Sequence, residues 1–184
     1  MRHQVGLALT LALSLSPQPA AANVTATGEG GFVSHNEVVV DATPLAAWEA
    51  LLRPADWWNG EHTYSGDPNN MWIELRPGGC FCERIPASGG EIEHMRVVYV
   101  APPSTLRMTG GLGPLQSEAV TAVLTMTVKP EGEMTRISWD YVVGGYSRMP
   151  LIELAPLVDQ VVGEQLLRLA AHLGQRVDPA GRRP

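Results

Sequence analysis

One carboxylate in this chain stands where it could do chemistry. Glu83 lies in the run Cys80-Phe81-Cys82-Glu83-Arg84-Ile85. On a strand, alternation puts Phe81, Glu83 and Ile85 on one face and Cys80, Cys82 and Arg84 on the other. If Phe81 and Ile85 belong to the core, Glu83 points inward with them. A carboxylate there needs a partner or a shifted pKa, and Tyr99 and Tyr141 are the candidate donors. The alternative is a wet Glu83 at a strand edge, and the sequence leaves both open. Inside a cavity, Glu83 would be a polar anchor or the candidate catalytic acid or base.

Other reactive side chains offer less. Cys80 and Cys82 are the two cysteines, and either free thiols or a disulfide fits them. A bridge at this spacing needs a bent backbone, which Gly78-Gly79 could supply. Two thiolates without a neighbouring Cys or His pair fall short of a zinc ligand set. The five histidines do not cluster; only His62, beside Tyr64 and Asp67, is placed to meet a ligand. Gly110-Gly111-Leu112-Gly113 lies between strands and cradles no phosphate. Gly145-Tyr146-Ser147-Arg148-Met149 lacks the second glycine of a nucleophile elbow. No metal site and no cofactor are expected.

These residues need a scaffold, and the hydrophobic pattern describes one. Phe32–Asp41 reads as a strand. Thr43-Pro44 starts a helix whose apolar stripe is Leu45, Trp48 and Leu52. Residues 55–70 are Gly-, Pro- and Asn-marked and read as a loop over one mouth of the domain. Six more strands follow at 71–75, 79–85, 91–100, 104–110, 119–129 and 134–144, separated by Pro/Gly turns. The chain then turns helical. In Leu151–Leu173 apolar residues recur at 151, 154, 158, 161/162, 166, 169 and 173, Pro156 is expected in the first turn of the main helix, and Gly174 ends it. Short connections between successive strands imply an antiparallel sheet, hence an α+β domain.

Alternation also assigns faces. Ile137, Trp139, Tyr141 and Val143 share one side of the last strand, away from Arg136, Ser138 and Asp140. Leu124, Met126 and Val128 oppose Thr125 and Thr127. Met95, Val97 and Tyr99 point in, and His94 and Arg96 point out. The candidate ligand-binding set is therefore Phe81, Glu83, Met95, Val97, Tyr99, Leu124, Met126, Trp139 and Tyr141, with Trp57 at the entrance. Trp58 is expected in a packed hinge.

The ends of the chain bear on location. Arg2 and His3 precede an apolar run and then Ala20-Ala21-Ala22, the pattern of a secretory signal cut after Ala22. Residues 1–22 are expected to be that signal, 23–31 a flexible leader, 32–174 the domain and 175–184 a disordered tail. Export predicts a periplasmic or secreted protein without stable membrane insertion after cleavage. Loss of Arg2 takes the net charge from −6 to −7. Such a charge gives no claim on nucleic acid, and the expected partner is a hydrophobic small molecule.

The ordered set of residues resembles a known superfamily. Asp41-Ala42-Thr43-Pro44 with Trp48, the Trp57-Trp58 pair, and Leu75-Arg76-Pro77-Gly78-Gly79 with Phe81 and Glu83 are similar to the START-like (SRPBCC) pattern. Pro102-Pro103 with Leu106, and Thr135-Arg136-Ile137, continue it. The nearest likeness is to homologues of the heat-shock ATPase activator and to polyketide cyclase/dehydrase-like proteins. The resemblance implies a helix-grip fold: a curved seven-stranded antiparallel sheet around a long C-terminal helix, with a hydrophobic ligand cavity between them. It implies binding of a hydrophobic or amphipathic molecule, or a cyclase, dehydratase or hydrolase activity, for which the strand alternation, not the resemblance, offers Glu83 as acid or base. The superfamily has no universal catalytic motif to carry over.

Overall fold

The computed structural model describes residues 23–174. The expected signal (1–22) and tail (175–184) lie outside the described residues. The elements are β1 (Val24–Gly28), β2 (Gly31–Val40), α1 (Pro44–Leu51), β3 (Met71–Ile73), β4 (Cys80–Ile85), β5 (Gly90–Ala101), β6 (Thr105–Thr109), β7 (Ala119–Glu131), β8 (Met134–Tyr146) and α2 (Leu151–His172). The strands form one curved antiparallel sheet in the order β1-β2-β8-β7-β6-β5-β4-β3, and α2 lies against its concave side. The segment from α1 to residue 70 carries the chain from β2 to the opposite edge.

The sheet has eight strands where the pattern predicted seven. The extra one is β1, inside the stretch expected to be a flexible leader. Its side chains are mostly exposed, so no apolar alternation announces it. It forms by backbone pairing with β2.

Thr43 caps α1, its hydroxyl accepting from the N–H of Ala46 at 3.2 Å. The helix buries Ala47, Trp48, Ala50 and Leu51 and leaves Leu45 exposed, so its inward face is turned from the predicted stripe. Helix α2 buries the predicted apolar row, including Leu154, Val158, Val162, Leu166 and Leu169. Burial of each Leu or Val contributes about 1.5–3 kcal/mol. Pro156 lies inside α2 rather than in its first turn. The bond it deletes would have reached the carbonyl of Ile152, a residue that faces water.

Strands β7 and β8 pair in unbroken register from Ala119↔Tyr146 to Glu131↔Met134. Period-two reasoning therefore holds along them: Leu124, Met126, Val128, Ile137, Trp139, Tyr141 and Val143 are all buried. Strand β5 behaves differently. Its register against β4 jumps from Phe81↔Met95 to Cys82↔Glu93, so His94 is an extra residue. Against β6 it jumps from Val97↔Met108 to Tyr99↔Arg107, so Val98 is another. Each bulge flips the side chains beyond it. His94, expected to face outward, is buried. Tyr99, expected inside, is 47% exposed beneath the Arg107 guanidinium, 5.5 Å from its ring centroid.

Cys80 and Cys82 form a disulfide, with Cα atoms 5.4 Å apart. The bend that this needs coincides with the register shift between Phe81 and Cys82.

Candidate functional site

Helix α2 does not seal against the whole sheet. At one end a cavity of about 420 Å³ remains. Its walls are Leu154, Leu157, Val158, Val161, Val162 and Gln165 of α2, Leu124 of β7, Trp139 of β8 and His94 of β5. Trp58, residues 61–64 and Leu112 to Pro114 complete the lining. No residue from Gly145 to Pro150 borders it, while the loop expected over the mouth does, through Trp58 and residues 61–64. The lining is mainly aliphatic and aromatic, with a few polar groups. That composition suits an apolar guest held by a small number of directed contacts.

The loop at the mouth is strapped to α2. The N–H of Asn59 donates to Gln165 Oε1 at 2.9 Å, and its side-chain amide donates to Glu164 Oε1 at 2.6 Å. His62 Nε2 meets Glu164 Oε2 at 3.2 Å, and Arg168 Nε donates to the Trp57 carbonyl at 2.9 Å. The two tryptophans diverge. Trp57 packs 5.8 Å from the Trp139 ring and donates to the Ala50 carbonyl; Trp58 packs 5.2 Å from Phe81 and borders the cavity. Their expected positions are exchanged, because the turn at Pro54–Asp56 sends Trp57 under α1.

Glu83 is fully buried but does not border the cavity. Its carboxylate accepts from the N–H of Tyr64 at 3.1 Å, from the N–H of Ser65 at 2.5 Å and from His94 Nε2 at 2.9 Å. Burial alone would raise this carboxyl. The bonds from Ser65, Tyr64 and His94 outweigh burial and hold it below the usual carboxylate range. Glu83 is thus an ionised anchor for the mouth loop, unsuited to act as an acid. Tyr141 is not its donor: that hydroxyl accepts from the N–H of Leu112 at 3.0 Å. Burial pushes the Tyr141 pKa up to about 12, against the smaller opposing effect of that bond.

His94 is what the cavity meets. Its ring lies against Phe81 and Tyr64, with centroids 5.0 and 5.8 Å away. Burial lowers its pKa, outweighing the upward pull of Glu83. At neutral pH it is therefore an uncharged imidazole. An ionised Glu83 can only accept, so Nε2 carries the proton and Nδ1 keeps the lone pair.

Both groups titrate below their ordinary values, 4.5 for Glu83 and 6.5 for His94. A depressed pKa means that the unfolded chain binds the proton more readily, so stability falls as pH falls. His94 contributes below about pH 6.5 and Glu83 below about pH 4.5. His35, whose pKa is raised chiefly by Asp140, acts in the other sense above its ordinary value of 6.5. Urea unfolding across pH 7 to 5 is expected to show a loss of stability that His94→Phe flattens. An unchanged slope in that variant contradicts the assignment.

Of the residues expected to bind ligand, Leu124 and Trp139 border the cavity. Phe81, Met95, Val97, Met126 and Tyr141 are buried in solid core beyond it. Glu83 lies behind His94, Trp57 lies under α1, and Tyr99 faces solvent. Sequence reading missed His94, hidden by the bulge, and named no α2 residue in the binding set although the resemblance placed the cavity against that helix. Among the described residues no group of three or more His, Cys, Asp or Glu side chains is placed to hold a metal ion.

Solved structures share this arrangement of sheet and helix at low sequence identity. Mll3558 from Rhizobium loti superposes with a TM-score of 0.56 at 17% identity, over 76% of this chain and 95% of that one. Ara h 8.0201 gives 0.55 at 13% identity, over 78% and 98%. The shared arrangement, a curved antiparallel sheet against a long C-terminal helix, is the helix-grip fold. DynU16, a protein of the dynemicin biosynthetic locus, gives 0.54 at 18% identity over 78% of this chain and 47% of its own. No protein-family model matches the chain, and no curated protein matches it.

Proposed function

We propose that this helix-grip protein binds an apolar or amphipathic small molecule in the cavity beside α2, and that it does so in the periplasm or outside the cell. The observation that carries the reading is the cavity itself: about 420 Å³ walled by Leu, Val and Trp side chains beneath a loop strapped to the helix. The export half rests on the leader pattern in residues 1–22. Among the described residues no helix is long and apolar enough to cross a membrane. Trp58 and Trp139 border the cavity and report its filling. Titration with 2-ethylnaphthalene is expected to change their fluorescence saturably, with one site per chain. A linear, unsaturable response speaks against a binding cavity.

One observation favours a second reading, a cavity enzyme. A neutral His94, oriented by an ionised Glu83, offers a base to the cavity, so His94 takes the role first considered for Glu83. Such a base would withdraw a proton from carbon beside a carbonyl, the electron pair passing to the carbonyl oxygen as an enolate. In D2O, the methyl protons of 2-acetylnaphthalene would exchange faster with wild type than with His94→Phe. Equal rates exclude this reading and leave binding as the function.

A further inference from the structure

Among the described residues, two buried donors of the cavity lining have no partner. Gln165 is fully buried and Trp139 is 1% exposed, yet Gln165 Nε2 and Trp139 Nε1 make no hydrogen bond among the described residues. The orientation of the Gln165 amide is fixed, because its Oε1 already accepts from the N–H of Asn59 at 2.9 Å. Nε2 is therefore the free end. A buried donor left unpaired costs about 1–3 kcal/mol, and such groups in a wall of Leu and Val select for a guest that satisfies them. Resting on the binding reading above, we infer that the natural ligand carries an oxygen acceptor, a carbonyl or ether-type oxygen on an apolar frame, received by Gln165 and Trp139.

The test uses two probes of matched shape, 2-acetylnaphthalene and 2-ethylnaphthalene, which differ in one acceptor oxygen. Wild type is expected to prefer the ketone by roughly tenfold, in line with one satisfied buried donor. Trp139→Phe and Gln165→Met are each expected to bring that preference toward unity while still binding the hydrocarbon. Equal affinity of the two probes for wild type overturns the inference and leaves the cavity reading standing. A preference that survives both substitutions overturns the assignment to these residues. Failure of both probes to bind overturns the cavity reading itself.

An independent observation concerns maturation. Asp159 of α2 is 2% exposed and is held by uncharged groups: the hydroxyl of Ser34, Asn36 Nδ2 at 3.0 Å and the main-chain nitrogen of Asn23 at 2.6 Å. No cation pairs with it among the described residues. Asn23 is seated independently, its carbonyl accepting from the N–H of His35 at 3.0 Å and its side chain donating to Asn36 at 3.0 Å. It is also the residue that follows the Ala20-Ala21-Ala22 cleavage pattern. We propose that the mature chain begins at Asn23 and that its α-ammonium is the counter-ion of Asp159. A leader peptidase of the export machinery would hydrolyse the Ala22–Asn23 bond, water leaving a carboxylate on Ala22 and an ammonium on Asn23. Processing then converts an amide contact into a partly buried ion pair joining β1, β2 and α2.

The intact mass of the exported protein is expected to correspond to a start at Asn23; any other start overturns the proposal. Two preparations then separate charge from chain length, one beginning at Asn23 and one with a single glycine added before it. The added glycine is expected to lower the folding equilibrium constant roughly tenfold, as loss of one partly exposed charge-assisted hydrogen bond does. The same addition is expected to have no effect in an Asp159→Asn background. Equal stability of the two preparations with Asp159 present overturns the ion pair.

Discussion

Glu83→Ala is expected to destabilise the protein by ~3–5 kcal/mol, because three buried donors lose their acceptor at about 1–3 kcal/mol each. Three donors lose their acceptor together: the N–H groups of Tyr64 and Ser65, and His94 Nε2. None can turn to water without opening the loop, because Asn59 and His62 hold its other end to α2. The effect should therefore appear in two observables. The urea midpoint falls, and amide exchange at Tyr64 and Ser65 accelerates far more than exchange in β7 and β8. Glu83→Gln is expected to be milder, ~1–3 kcal/mol, since its carbonyl oxygen still accepts from one donor while its amide faces the others. An alanine variant within about 0.5 kcal/mol of wild type, the range of an ordinary surface substitution, contradicts the anchoring role.

The second large effect is on binding. Val158 and Val161 both border the cavity from α2. Val158→Phe together with Val161→Trp places two aromatic rings in the space of about 420 Å³. Affinity for 2-ethylnaphthalene is expected to fall at least tenfold, because a guest must displace protein side chains that already bury apolar surface. Stability should hold or rise, since the new rings fill a void rather than crowd a packed core. Fluorescence titration measures the first expectation and thermal unfolding the second. Undiminished affinity in this variant places the guest elsewhere.

What the residues disclosed and what they concealed have one physical origin. Alternation is a reliable guide where strands pair without interruption, as β7 and β8 do, and there every inward assignment from Leu124 to Val143 agrees with the burial. It fails on β5, where His94 and Val98 are inserted residues. A bulge is decided by pairing with a neighbouring strand, so no local pattern marks it. The first bulge hid His94, an ionisable group of the cavity wall, and the second sent Tyr99 to the surface. Strand β1 was illegible for a related reason: it is exposed and defined by its partner alone.

Some signals were present and passed over. Asp159 falls four residues after Ala155 on the buried face of α2, and Gln165 lies on that same buried surface beside Leu166. A polar residue on an apolar helix face needs an explanation in structure. Here Asp159 meets Asn23, Ser34 and Asn36, and Gln165 meets Asn59. The long helix thus does more than cover the sheet. It forms one wall of the cavity, holds the mouth loop and receives the first described residue of the chain.

The proposed function places an apolar or amphipathic guest in the cavity beside α2. Native mass spectrometry of the protein purified from its natural host tests it most directly, with the Val158→Phe/Val161→Trp variant from the same host alongside. The account predicts an added mass on wild type, released on denaturation as an organic molecule of low polarity, and a variant that carries none. Wild type bearing no such mass and binding neither naphthalene probe would contradict it.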